Sequence, residues 1–265
     1  MDVVSGIARL TPAHGRLFVA IGVFDGLHRG HRHLLRILRR EAARRAARPA
    51  VITFDHHPDE VIRGAAPALL CDPAERLRLL AEAGVEVVVV EHFDAVLRTT
   101  PYDAFIAAIA ARVDLAGFLM TPDAAFGHER AGTPQAVAQL GRTTGFELVV
   151  APVLELDGRP VRSSLIRTAL AAGQLHEARR LLGRAVEVIG DAVVSDDRTV
   201  LVHFDLPVAL PPDGRYRALM GPELARGQAC VRAVASLDGG QLWLRCPKGR
   251  APAGRVRVRL QAALD

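Results

Sequence analysis

Lysine is almost absent from this 265-residue sequence: Lys248 is the only one, and arginine carries nearly all of the positive charge behind a net +5. Such a bias reflects a GC-rich genome more than a function. The basic balance suits phosphate-rich ligands without establishing nucleic-acid binding. Cysteine is scarce too. Cys71, Cys230 and Cys246 are far apart, odd in number and without a C-x-x-C pair, which excludes a disulfide framework and predicts ordinary thiols in a reducing cytosol. Long apolar runs are missing: nothing approaches the roughly 20 residues that a membrane span requires. The opening Met1-Asp-Val-Val-Ser-Gly has neither a basic n-region nor a long apolar stretch, so the sequence predicts no signal peptide, no membrane partner and a cytoplasmic location. Half of the residues are hydrophobic, which excludes a disordered chain, and the length suits one large or two modest domains.

The stretch with the most chemistry is Val19-Ala-Ile-Gly-Val-Phe-Asp-Gly-Leu-His-Arg-Gly-His31. An apolar strand pattern ends at Gly22. A turn with small residues at Gly22, Gly26 and Gly30 follows, and a helical pattern begins with Leu34, Leu35 and Leu38 on one face. A strand, a tight loop and a helix N-terminus present free backbone N–H groups to an anion. His28 and His31 lie in that loop as donors for phosphate oxygens, and Gly30 lets a nucleotide approach the backbone.

Read onward, the pattern alternates. The segment from Arg32 to Ala47 predicts an arginine-rich helix, better read as a solvated face with long arginine stems than as a nucleic-acid surface. Ala50 to Phe54 predicts a buried strand that delivers Asp55-His56-His57-Pro58 at its C-terminal end, where open α/β sheets collect ligands. A helix after Asp72-Pro73, a strand over 85–90, a helix after Thr100-Pro101, a strand over 117–120, a helix after Thr133-Pro134 and a strand over 147–152 follow. Five apolar strands alternating with helices in about 150 residues predict a doubly wound parallel sheet. From Ala185 the pattern changes to six short strands separated by turn formers, which predicts a smaller antiparallel barrel. The domains expected are therefore 1–184 and 185–265.

The string G-V-F-D-G-x-H-x-G-H, between a strand and a helix, resembles the signature of the HxGH nucleotidyltransferases. Its Phe24-Asp25-Gly26 core is similar to the FAD synthetase (FMN adenylyltransferase) branch of the prokaryotic bifunctional riboflavin kinase/FAD synthetases. Class I aminoacyl-tRNA synthetases carry a similar first motif, but their second signature needs lysines that this sequence lacks. The second stretch, Val161-Arg-Ser-Ser-Leu-Ile-Arg167, resembles the family's I-S-S-T-x-I-R and is followed by its A-L-x-x-G and L-L-G-R. It departs at Arg162 and Ser164. By their types and spacing, Ser163 and Ser164 suit a helix cap that also binds phosphate, and Arg167 adds a bidentate fork.

The resemblance implies a Rossmann-like fold and the reaction ATP + FMN giving FAD and pyrophosphate, with Mg²⁺ bridging phosphates and no protein metal ligands. It assigns His28, His31 and Arg167 to the reacting phosphates, and Gly22, Phe24, Asp25, Gly30, Ser163 and Ser164 to ATP. The flavin falls to His57, Asp123, Phe126 and Gly127, while His56 replaces a family proline with no assigned role. The loop that reads G-x-D-F-R-F-G in the family is Thr121-Pro-Asp-Ala-Ala-Phe-Gly127 here, without one aromatic and the arginine. That departure leaves open transfer to another phosphorylated acceptor, or a non-catalytic flavin- or nucleotide-binding paralogue. A nucleic-acid-binding protein would rest only on the arginine helix. The glycine-rich P-T-A-N loop of the riboflavin kinase is also missing, since Ser195-Asp-Asp-Arg-Thr-Val200 runs straight into the next strand; the sequence therefore predicts a barrel without kinase activity.

Overall fold

A computed structural model of the chain describes residues 1–222, 230–246 and 253–264. Two compact units emerge: Met1–Pro67 with Pro73–Pro160, and Ala68–Asp72 with Val161–Asp265.

In the first unit, the elements run β1 (Asp2–Ser5), β2 (Arg16–Ile21), α1 (Arg29–Arg44), β3 (Arg48–Phe54), α2 (Pro58–Arg63), α3 (Pro73–Glu82) and β4 (Val87–Glu91). Then come α4 (Ala95–Thr99), α5 (Tyr102–Ala110), β5 (Asp114–Met120), α6 (Pro134–Thr144), β6 (Glu147–Val150) and the two-residue strands β7 (Glu155–Leu156) and β8 (Arg159–Pro160). The main sheet has the order β1-β4-β3-β2-β5-β6, with every pair parallel. This is the expected doubly wound, Rossmann-like sheet, with six strands rather than five. The additional strand is β1, an edge strand in which only Val4 is buried, so its four residues carry almost no apolar pattern.

The sheet is buried on both faces, as near-continuous apolar strands require. Val19, Ile52, Val87 and Phe118 pack on one side with Phe105 and Ile109 of α5. Phe18, Ala20, Val51 and Val88 pack on the other with Leu35 and Leu38 of α1. Most arginines of α1 are exposed. Arg40, Arg44 and Arg45 surround the buried Glu41, and Arg45 also reaches Glu147 of β6 at 2.6 Å. Those bonds hold the Glu41 carboxyl below its ordinary value, Arg45 being the strongest cause, against the opposing effect of burial.

The second unit contains α7 (Ser163–Ala171), α8 (Leu175–Leu182) and six strands: β9 (Val186–Asp196), β10 (Thr199–His203), β11 (Gly214–Pro222), β12 (Val231–Asp238), β13 (Gln241–Arg245) and β14 (Gly254–Leu264). They close into an antiparallel barrel of order β10-β13-β12-β11-β14-β9 around Val200, Tyr216, Met220, Leu242, Leu244 and Val258. All six expected strands are present; Ala229, where the fourth was expected to begin, and Pro252 of the last turn lie outside the described residues. The compact unit begins at Val161, earlier than residue 185 where the strand pattern starts, because α8 packs on β9 and β14. Segment 68–72 joins the same unit through Leu69, whose N–H donates to Pro207 O and whose carbonyl accepts from Ala209 N, both at 2.8 Å. No helix among the described residues is long and apolar enough to cross a membrane.

Candidate active site

In the parallel sheet β2 is central, and the chain continues on one side to β3 and on the other to β5, so the switch point where α/β sheets collect ligands lies at the C-terminal ends of β2 and β5. The loop Gly22–His28 leaves β2 at that point. Its backbone is left-handed at Phe24 (φ 52) and Leu27 (φ 33) as well as at Gly26 (φ 74). An aromatic and a leucine in that region cost about 1–3 kcal/mol each and persist only where surrounding contacts enforce them. Here those contacts are burial of Phe24, Asp25, Leu27 and His28, and two donors on the Val23 carbonyl: Thr53 Oγ1 at 3.1 Å and Arg76 Nη1 at 3.2 Å. Arg76 also donates from Nη2 to Phe54 O at 2.7 Å, so one buried guanidinium joins the loops after β2 and β3.

Helix α1 begins at Arg29, three residues earlier than the sequence predicts. His28 is its N-cap, and His31 sits within the first turn rather than in the loop. His28 Nδ1 accepts from the His31 backbone N–H at 3.3 Å, which leaves the proton of a neutral His28 ring on Nε2. The two rings stack, with centroids 3.7 Å apart, and His31 also meets Phe24 at 5.2 Å. His31 Nδ1 is buried with no hydrogen-bond partner. Its pKa lies well below the usual histidine value, chiefly through burial and secondarily through the neighbouring His28. A neutral imidazole with an unused buried nitrogen at a helix start is a group that can hydrogen-bond an anion.

Beside this loop is an apolar cavity of about 690 Å³, whose lining includes Ile21, Gly22, Phe54, Phe105, Phe118 and Met120 from the strand ends and α5, and His57, Phe93, Ala124, Ala125, Phe126 and Gly127 from the loops. The volume is that of an ordinary small-molecule site. His57 caps α2, its Nδ1 accepting from Asp59 N at 3.2 Å. Phe126 packs on Phe105 and Phe118, with centroids 5.7 and 6.2 Å away. Gly127 has φ +76, and a Cβ there would lie 2.6 Å from Tyr102 N, so the loop closes against α5 only with glycine. Asp123 does not line the cavity; its Oδ1 accepts from Thr121 Oγ1 at 2.8 Å, and Arg130 Nη2 donates to its carbonyl at 3.3 Å. Of the four residues assigned to the flavin, three thus meet at one cavity, and Asp123 shapes the loop that borders it.

The second motif lies in the other compact unit. Ser163 and Ser164 are the first two residues of α7 and its N-cap is Arg162, so the serines fill the first turn rather than the cap position. Arg167, one turn on, donates from Nε to Ala68 O at 2.7 Å.

The FAD synthetase family model matches residues 10–165, more than half of the chain and the whole of the loop Gly22–His28. The chain belongs to the FAD synthetase family. Curated relatives described as bifunctional riboflavin kinase/FMN adenylyltransferase include proteins of Pseudomonas fluorescens, 34% identical over 194 residues, and Escherichia coli K12, 33% identical over 201. That of Bacillus subtilis is 29% identical over 212 residues. The matches take in 72%, 74% and 75% of this chain and 61%, 64% and 65% of the three relatives, so the chain spans less than two thirds of their length. A crystal structure described as a macrolide-efflux protein from Streptococcus pneumoniae superposes with a TM-score of 0.83 over 99% of this chain and 90% of its own, at 22% identity; the likeness is one of fold.

For a FAD synthetase-family protein, the site holds residues that the sequence pattern leaves out. Arg76 is internal to α3 and reads locally as one more arginine of a polar face. Phe54 and Phe93, in edge-to-face contact at 5.3 Å, form one wall of the cavity. The available signal for that pair was its position: each stands at or just beyond the C-terminal end of a central strand.

Proposed function

We propose that the chain transfers AMP from ATP to FMN, giving FAD and pyrophosphate. The observation that carries this reading is the stacked His28–His31 pair at the start of α1, reached by the loop whose Gly22 and Val23 line an apolar cavity of a size that takes a flavin ring. An oxygen of the FMN phosphate attacks the α-phosphorus of ATP, the bond from that phosphorus to the bridging oxygen breaks, and pyrophosphate leaves with the electron pair. The nucleophile is already ionised, so no strong base is needed. The task is placement of two polyanions and neutralisation of charge, and placement alone is worth roughly 7–11 kcal/mol in favourable cases.

In this reading His28 and His31 donate to the phosphates at the reacting centre, Gly22, Phe24, Asp25 and Gly30 shape the loop around ATP, and Ser163, Ser164 and Arg167 hold the departing β- and γ-phosphates. The loop offers imidazole nitrogens and one buried carboxylate, Asp25, a donor set suited to phosphate oxygens and unlike a Mg²⁺ cage of protein oxygens. Mg²⁺ therefore enters as part of the substrate, Mg·ATP. His57, Phe126 and Gly127 border the flavin, and Asp123 holds their loop. Residues 1–184 carry the chemistry in a cytoplasmic enzyme, and the barrel of 185–265 is a packing or assembly module.

The test is direct. Purified full-length protein with ATP, Mg²⁺ and FMN should produce FAD and pyrophosphate in equal amounts; FMN that binds without turnover would make the chain a flavin-binding paralogue instead.

A further inference from the structure

The loops after β3 and β4 bring together three metal-binding side chains that the adenylyl-transfer reading does not use. The two strands are neighbours, with Phe54 paired to Glu91, so Asp55 and His56 emerge beside His92. One oxygen of Asp55 is fixed by the backbone: Oδ1 accepts from the N–H groups of His56 at 2.7 Å and Phe93 at 3.3 Å. The other faces both imidazoles, with Oδ2 2.6 Å from His92 Nδ1 and 3.9 Å from His56 Nε2. The rings meet edge to face at 5.8 Å, and one donor atom from each of the three residues lies within 4.8 Å of the others. On the far side of His56, Nδ1 is 3.5 Å from Glu60 Oε2, one turn along α2.

We propose that Asp55, His56 and His92 form a three-ligand site for a divalent transition ion of the Zn²⁺ class. Two imidazoles and a carboxylate are the borderline donor set that such ions select, whereas Mg²⁺ takes oxygen alone. Zinc bonds of about 2.0–2.1 Å place tetrahedral ligand atoms roughly 3.3 Å apart. The Asp55–His92 pair must therefore open, and the Asp55–His56 pair close, each by less than about 1 Å. Three exposed side chains make those shifts by torsion alone. Glu60 supplies the carboxylate that commonly orients a metal-bound imidazole through its second nitrogen. Asp55, Glu60, Glu91 and Asp94 surround the two rings with negative charge, which favours a cation. The fourth position is left open. His57 and Phe93, the next residues after His56 and His92, line the cavity, so the ion would sit near it and offer that position to an anionic ligand. The proposal stands whether or not the chain transfers AMP.

The experiment is calorimetric titration of the chelator-stripped full chain with ZnCl₂ in millimolar MgCl₂. One Zn²⁺ per chain is expected, with His56→Ala and His92→Ala each weakening it about tenfold or more and His31→Ala leaving it unchanged. Co²⁺ in place of Zn²⁺ should give the visible absorption of a four-coordinate nitrogen- and oxygen-bound ion, and both variants should lose it. Variants are compared only after their circular dichroism matches the natural chain, with His56→Gln and His92→Gln as substitutes for either that fails. No stoichiometric zinc, displacement by Mg²⁺, or equal binding by the His56 and His92 variants overturns the site.

Discussion

His28 and His31 lie face to face at the start of α1, with ring centroids 3.7 Å apart and planes 20° from parallel. Two imidazolium rings at that distance repel, and burial of His31 adds to the cost of charging it. His31 is consequently held neutral with one ring nitrogen buried and unused.

Replacing either ring by alanine should lower AMP transfer by about 10²-fold or more, the loss typical of a preorganised donor to developing charge. Steady-state pyrophosphate release with His28→Ala and His31→Ala checks this. Rates near that of the natural chain would remove the pair from the mechanism.

The depressed pKa of His31 sets a direction with pH. The unfolded chain takes up a proton as pH falls below about 6.5 while the folded chain resists it. Stability is therefore complete above that value and declines as pH falls from it towards the folded pKa. Urea midpoints at pH 7.5 and 5.5 should differ more for the natural chain than for His31→Gln. Binding of ATP favours the charged ring, so calorimetry near pH 6 in buffers of different ionisation enthalpy should show proton uptake that His31→Gln diminishes.

Arg76 should behave as a positioning residue. Arg76→Met removes the guanidinium donor from the Phe54 carbonyl and leaves the Val23 carbonyl with Thr53 Oγ1 alone, at about 1.5–3 kcal/mol for a charged hydrogen bond to a buried group. Chemical denaturation should report that loss. Turnover at saturating ATP and FMN should fall together with KM for ATP rising, because the loop after β2 loses one of its two anchors. A variant with lowered stability and unaltered kinetics would confine Arg76 to the fold.

Ala124 and Ala125 border the cavity where the family pattern has phenylalanine and arginine. An aromatic against a flavin adds roughly 0.5–1.5 kcal/mol beyond its area, and an arginine bond about 1.5–3 kcal/mol. Ala124→Phe with Ala125→Arg should tighten FMN by roughly a hundredfold or more and leave ATP unchanged, as fluorescence titration of each would show. Submicromolar FMN binding by the natural chain without improvement in the pair would mean that another element grips the flavin.

Riboflavin should not be phosphorylated. Strand β9 runs to Asp196 and β10 starts at Thr199, with Arg198 N donating to Asp196 Oδ1 at 2.8 Å, so a two-residue turn stands where the kinase carries its nucleotide loop. Chromatographic detection of FMN from riboflavin and Mg·ATP would overturn this expectation.

The sequence by itself determined what local order can encode. The apolar runs, the proline and threonine helix starts and the change of pattern at Ala185 were enough for the parallel sheet and the barrel, because each strand and each helix repeats a short-range signal. The place of the His28–His31 motif at a helix start was legible for the same reason. Only the tertiary structure decided the rest. β1 is four residues long with one buried side chain, and it becomes a strand through its pairing with β4. Arg76 acquires its role because α3 packs against loops more than 20 residues away in sequence. The cavity wall of Phe54 and Phe93, and the convergence of Asp55, His56 and His92, arise from the parallel register of β3 and β4. A parallel pair is joined by a crossover that separates its neighbours widely in sequence, so no local period records which side chains will meet.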